Sequence, residues 1–288
     1  MHHWKPSCKL CTRVFPTILY GAETWWPIDA IKDIILELER NALKRCLGVK
    51  RSTPTDIIYT EINRPDIVSC IKDGQYKFYS KLTNLSYEEA LVKEVMRRCE
   101  QTNMMRYYKE LNNNHKERNI SERKSRLESS DATMTKRYME ITEGKYSSTI
   151  YESYMNEKLR ILITRWRLSC FDLAIETGRY KHDNSRDKRL CLTCNTLEDE
   201  YHTLFVCIRY QNIRNHYSEL ISNCQSVSDM LQPCSTERAK LVGMYIKSIE
   251  KARKESPSWE IIMCKRCWYL CVILCRLNGM IYLPLSQL

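Results

Sequence analysis

Apolar residues recur at three- and four-residue steps along most of this chain, the mark of helices with one buried face. Ile28, Ile31, Ile34, Ile35, Leu38, Ala42 and Cys46 follow Pro27 in that rhythm, and Gly48 stands where a helix would stop. The segment STPTDIIYTEINRP reads as a helix with Thr53 as N-cap, Pro54 in its first position and Asp56 in its first turn, ended by Pro65. Ile67, Ile71, Phe78, Tyr79 and Leu82 predict another helix, and Ser86 opens a further one through Leu91, Val95, Met96 and Cys99. Ahead of all these, ILYGAETWWP (Ile18 to Pro27) is apolar and aromatic, broken by Gly21, and predicts a buried turn or short strand.

The rhythm lapses between Asn112 and Asp131, where NNNHKERNISERKSRLESSD holds almost nothing apolar. That stretch reads as a linker or a solvated helix extension, and as the domain boundary. Beyond it, Tyr151, Tyr154, Leu159, Leu162, Trp166 and Phe171 predict a helix ending near Gly178, and Tyr210, Ile213, Tyr217 and Leu220 predict another. The tail contains CWYLCVILC, nine apolar residues from Cys267 to Cys275 between Arg266 and Arg276. A membrane span needs roughly 20 such residues, so a core helix or a translated extension is the expectation and no membrane is expected.

Composition supports helix over sheet. Seven glycines and eight prolines in 288 residues are too few for a many-turned β protein. Hydrophobic content of 43% beside 28% charged residues is that of a globular chain. The expected fold is mainly α, with little or no β. A net charge of +11 suits an acidic partner such as nucleic acid, although Glu interleaves the Lys and Arg of residues 86–137 and a solvated mixed-charge face explains that region equally. Fifteen cysteines would suit a disulfide scaffold in a short secreted chain, but MHHWKPSCKL lacks the apolar core of a secretory signal. The expectation is an intracellular, reduced protein, nuclear or cytoplasmic, whose cysteines are mostly small buried hydrophobes.

One cluster departs from that expectation. Cys191-x2-Cys194-x7-His202-x4-Cys207 brings three thiols and an imidazole within one short stretch, a donor set suited to tetrahedral Zn²⁺. Four protein ligands leave no position for water, so such a site would be structural. With His202 neutral, three thiolates and the ion sum to one negative charge, which Arg186, Lys188 and Arg189 would offset. Residues five apart on an α-helix differ by about 140° around its axis, so His202 and Cys207 cannot both face one ion from an undistorted helix. A helix from about Leu197, with Thr196 and Asp199 as an approximate cap, is expected to loosen before Cys207 and restart near Ile208. Two other Cys-x2-Cys pairs, Cys8 with Cys11 and Cys264 with Cys267, read as incidental.

Three segments carry a resemblance to the carboxy-terminal part of non-LTR (LINE-type) retrotransposon reverse transcriptases. PTILYGAETW (Pro16 to Trp25) is similar to the segment just after the polymerase palm, and RNALKRCLGVKRSTPTDIIYTEI (Arg40 to Ile62) resembles the thumb helices that follow. RWRLSCFDLAIETGRY (Arg165 to Tyr180), with the Ile-Glu-x-Gly-Arg signature, and RLCLTCNTLEDEYHTLFVCIRY together resemble the family's terminal zinc-binding region. The resemblance spans Pro16 to about Tyr217. It implies a thumb-like helical region over residues 1–111, a polar connector over 112–150, a zinc-binding region over 151–223 and a partly apolar tail over 224–288. It also implies that Cys191, Cys194, His202 and Cys207 hold a structural zinc. Phe171 stands where relatives usually have His, and Ile208 where they often have Pro.

The resemblance implies RNA or DNA as partner, with Arg160, Arg165, Arg167, Arg179 and Arg189 as candidate phosphate contacts. Arg160 and Arg167 lie seven apart, nearly on one helix face, and these arginines could equally be solvated. Trp166 could stack on a base or be core. Polymerisation needs paired palm aspartates that hold two metal ions, and the chain has no Asp-Asp pair. No enzyme activity is therefore expected of this chain, which reads as a truncated nucleic-acid-binding remnant. A zinc-stabilised protein-interaction module and a non-functional pseudogene product are the alternatives.

Overall fold

The computed structural model describes residues 15–24, 30–84, 90–111, 113–152, 155–178 and 185–255. The protein is mainly α, and among the described residues the only β pairing is an isolated bridge between Leu190 and Leu197. No helix among them is long and apolar enough to cross a membrane. The predicted helix Ser86 to Cys99 begins at Ala90 in the described residues, and the apolar tail, Trp25 and Arg179 lie outside them.

The first half follows the apolar rhythm closely. After the short α1 (Phe15–Leu19), α2 (Lys32–Leu47) ends at Gly48, whose φ of 65° lets Gly48 and Val49 return hydrogen bonds to Arg45 and Lys44. A Cβ at Gly48 would lie 2.7 Å from Ile161 Cγ2, so close packing as well as the left-handed turn calls for glycine. The third helix, α3 (Thr55–Glu61), starts one residue later than expected. Thr53 does not cap it; its buried hydroxyl lies 3.2 Å from Cys170 Sγ. Asp66 caps α4 (Ile67–Thr83) through the Ser69 amide at 2.7 Å, and α5 (Ala90–Cys99) and α6 (Asn103–Glu110) follow.

The polar stretch read as a connector forms α7 (His115–Glu128), which packs on α3 and α4, and is followed by α8 (Thr133–Thr142). Leu127 and Tyr138 from these helices share one core cluster with Ile57, Leu168 and Cys170. Arg123 of α7 joins Leu127 on the inward face: it is 3% exposed, its guanidinium lies over the Tyr59 ring at 4.7 Å and donates to Arg64 O at 2.7 Å. The chain forms two compact units, Met1–Ile246 and Lys247–Leu288.

The helix expected up to Gly178 is three: α9 (Ser148–Tyr151), α10 (Glu157–Arg167) and α11 (Ala174–Thr177). Ser169, at φ 46°, breaks it by letting Cys170 N return to Arg165 O at 2.7 Å. Trp166 is wholly buried with its ring centroid 4.5 Å from that of Phe171, so its role is core. Beyond the cysteine-histidine stretch come α12 (Gln211–His216), α13 (Ser218–Ser222), α14 (Val227–Leu231) and α15 (Thr236–Glu255). Residues 247–255, the described part of the second unit, carry ion pairs between Lys251 and Glu255 and between Lys254 and Glu250.

Candidate metal centre

Local backbone bonds build a tight knuckle around the first two cysteines. Cys191 N donates to Thr196 O at 2.7 Å, Asn195 N to Cys191 O at 2.9 Å and Glu198 N to Arg189 O at 2.9 Å. Asn195 takes the left-handed conformation at φ 52°, which asparagine tolerates better than most residues. Glu198 then ties the knuckle to α11, its carboxylate accepting from Ala174 N at 2.7 Å. Glu200, 1% exposed, accepts from Arg137 at 2.6 Å, anchoring the next turn to α8.

The helical turn begins at Glu200 rather than Leu197, and Asp199 alone caps it, accepting from His202 N at 2.8 Å. From His202 to Val206 the backbone is a π turn, closed by a bond of 2.7 Å from Cys207 N to His202 O. That i→i+5 closure adds one residue to the turn and stacks Cys207 over His202. The geometric conflict of an α-helix is thereby removed without unwinding the chain. A 3₁₀ turn, Ile208–Tyr210, leads directly into α12.

Cys191, Cys194, His202 and Cys207 converge as expected: one ligand atom from each lies within 4.8 Å of every other, and the group could hold a metal ion. Cys207 Sγ is 3.7 Å from Cys191 Sγ and 3.7 Å from Cys194 Sγ. A disulfide would need about 2.05 Å. Thiolates bound at about 2.3 Å to one tetrahedral ion sit roughly 3.8 Å apart, so the sulfurs fit a shared ion. Cys207 is 0% exposed, and burial pushes its thiol up to about 12, the neighbouring thiols adding to the shift. A thiolate there needs a cation beside it.

The imidazole is oriented for the same task. His202 is buried, its Nδ1 lies 3.2 Å from Thr196 Oγ1, and its Nε2 is enclosed without a hydrogen-bond partner. A proton on Nδ1 donated to Thr196 leaves the Nε2 lone pair free for a metal. Spacing rules gave no signal for this role of Thr196, which the sequence suggested only as part of a helix cap.

The candidate nucleic-acid residues are placed differently from one another. Arg167 is fully buried and bidentate to Glu61 at 2.6 and 3.0 Å, with further bonds to Leu231 O and Lys145 O. Burial opposes its charge, but the Glu61 carboxylate more than offsets this and holds its pKa above the ordinary value. Each of its three nitrogens is committed inside the protein, which removes it from phosphate contact. Arg160 is also buried, 3.7 Å from Glu157. The shared helix face of these two residues is therefore an inward face. Arg165 is partly exposed, 3.9 Å from Asp172, and Arg189 is half-buried, donating to Ile175 O at 2.9 Å. Arg186 and Lys188 are exposed.

No protein-family model, curated protein or solved structure matches the chain.

Proposed function

We propose that the chain is the carboxy-terminal region of a non-LTR retrotransposon reverse transcriptase, a nucleic-acid-binding region folded around a structural zinc. The observation that carries this reading is the convergence of the four ligand atoms within 4.8 Å, with His202 Nε2 left free and aimed by Thr196. A CCHC donor set of this geometry favours Zn²⁺, which takes sulfur and imidazole ligands in a tetrahedron without ligand-field preference. The closed coordination gives the ion a folding role, holding the knuckle to the π turn. Partly exposed Arg165 and Arg189 with exposed Arg186 and Lys188 offer positive charge to phosphate near this module.

Two measurements on the full chain test the reading. Metal analysis of the purified protein should find one zinc per chain, lost in Cys194→Ala; zinc-free wild-type protein with unchanged helicity sinks the metal. Binding to single-stranded RNA or DNA should weaken as salt rises, and undetectable binding at low salt sinks the nucleic-acid role.

A protein-interaction module is the second reading, and one observation favours it. Leu192, Val206 and Ile208, which adjoin or flank the ligands, are 85%, 51% and 66% exposed. A nucleic-acid titration without effect, with zinc present, would move the assignment to that reading.

A further inference from the structure

The π turn ends abruptly. At Cys207 the backbone turns to φ −54° and ψ 120°, leaving the helical region; Cys207 O still accepts from Tyr210 N at 3.1 Å, but the carbonyls before it lose their continuing helical partners. Two side chains from later helices meet them. Tyr245 of α15 donates its hydroxyl to Leu204 O. Arg214 of α12 donates from Nη2 to Cys207 O at 2.5 Å and to Val206 O at 3.2 Å, and is steadied by Gln211 Oε1 at 2.8 Å.

Arg214 is 5% exposed, and its guanidinium lies against the backbone of a ligand residue. A divalent ion with three thiolates and a neutral imidazole carries one net negative charge, and burying that charge alone is costly. The cations offered by the sequence do not answer it from inside: Arg186 and Lys188 are exposed, and Arg189 is turned to Ile175 O. Arg214 places a buried positive charge on the backbone carbonyl of the ligand residue Cys207.

We propose that Arg214 is the positioning residue of the metal centre, fixing the Cys207 backbone so that its sulfur faces the ion and supplying the buried counter-charge. The assignment rests on the metal reading above. A guanidinium suits the role because one planar nitrogen, Nη2, reaches the carbonyls of both Val206 and Cys207 while the group keeps its charge; a lysine ammonium keeps the charge but not that planar head.

Cobalt and zinc titrations of the full chain against a competing chelator test it. Wild-type protein should take up one Co²⁺ with a sulfur-to-cobalt charge-transfer band and the d–d bands of a tetrahedral site. Arg214→Met should bind about 10- to 100-fold more weakly, the usual consequence of losing an outer partner of a ligand, and its d–d bands should shift. Arg214→Lys should recover part of that loss. Met230→Ala, which empties a fully buried position on α14, should lower stability yet leave affinity and bands unchanged. Arg214→Met binding as tightly as wild type, or weakened no more than Met230→Ala, overturns the assignment and leaves the metal reading standing. If Arg214→Met does not fold, Arg214→Gln replaces it, and equal affinities for Arg214→Gln, Arg214→Lys and wild type overturn the assignment. A folded wild-type chain that takes up neither metal overturns both.

Discussion

The amide of Cys207 reaches the carbonyl of His202 across 2.7 Å, a step of five residues where an α-helix would take four. This one additional residue brings both side chains into one group of ligand atoms that could hold a metal ion. The spacing His-x4-Cys contained the problem, since it is wrong for an α-helix, but not the solution. An extended exit and a π turn answer it equally well on paper. The choice was made by Asp199, which starts the turn, and by Arg214 and Tyr245, which meet its last carbonyls from helices far along the chain.

Thr196 holds Nδ1 of His202, and its loss should be felt at the metal. Thr196→Val removes the hydroxyl while keeping the branched shape. Chelator competition should show metal affinity falling about tenfold, toward the low end of outer-partner effects. Thr196→Ser should retain wild-type affinity. Equal affinity for the valine and serine variants would show that the imidazole is aimed by packing instead.

The Glu61–Arg167 pair joins α3 to α10 with both side chains 0% exposed. Tyr138 and Tyr151 also donate to the Glu61 carboxylate, at 3.1 and 2.6 Å. Removing one partner leaves the other charge buried without its counterpart, at a cost of about 3–5 kcal/mol. Urea denaturation of Glu61→Gln and of Arg167→Met should show losses of that size. The double variant should lose less than the two added together, because no charge then remains buried. An unchanged midpoint for Arg167→Met would place this arginine outside the core.

The same pair marks where the sequence stopped being readable. Helix existence followed from apolar spacing, and Gly48 as a stop followed from its freedom at positive φ; the structure places both. The convergence of Cys191, Cys194, His202 and Cys207 was equally plain, because ligand chemistry restricts residue type and spacing together. Arginine carries no such restriction. Arg160 and Arg167 share a helix face, but whether that face meets solvent depends on Glu61, 106 positions away from Arg167. Long-range pairing of that kind leaves no local pattern. Residues 113–128 are hard to read for a related reason: α7 buries few apolar groups and sets the guanidinium of Arg123 over the Tyr59 ring beside them.

The Glu39 carboxyl gives the fold a pH dependence of known sign. It is 3% exposed, accepts from Tyr59 Oη at 2.6 Å and Ile67 N at 2.9 Å, and leaves Oε1 without a partner. Burial raises its pKa above the usual 4.5, and the two hydrogen bonds only partly oppose this. The folded state therefore holds the proton more tightly than the unfolded state. Its contribution to stability is full below about 4.5 and is lost as pH rises through the raised folded value. Denaturation at a series of pH values should show the wild type falling relative to Glu39→Gln across that window. Thiol protonation at the metal cluster acts on both chains and cancels in the difference. A difference constant with pH would assign the dependence to other groups.

Arg165 and Arg167 stand two positions apart on one helix, yet they should behave oppositely toward nucleic acid. Arg165 is partly exposed, lies over the Phe171 ring at 5.6 Å and pairs with Asp172 at 3.9 Å, an ion pair weak enough to exchange for a phosphate. If it makes one phosphate contact, Arg165→Ala should weaken binding to all sequences alike and reduce the slope of log affinity against log salt by about 1, or about 0.7 for a single strand. Arg189→Ala should act similarly, to the extent that its guanidinium can leave Ile175 O. Arg167→Ala should instead lose binding in step with folding, so that the fraction still folded keeps the wild-type slope. Fluorescence anisotropy over a salt series, read beside circular dichroism of the same samples, separates these outcomes. A reduced slope for folded Arg167→Ala would mean that the buried pair opens on nucleic acid, and an unchanged slope for Arg165→Ala would remove Arg165 from the interface.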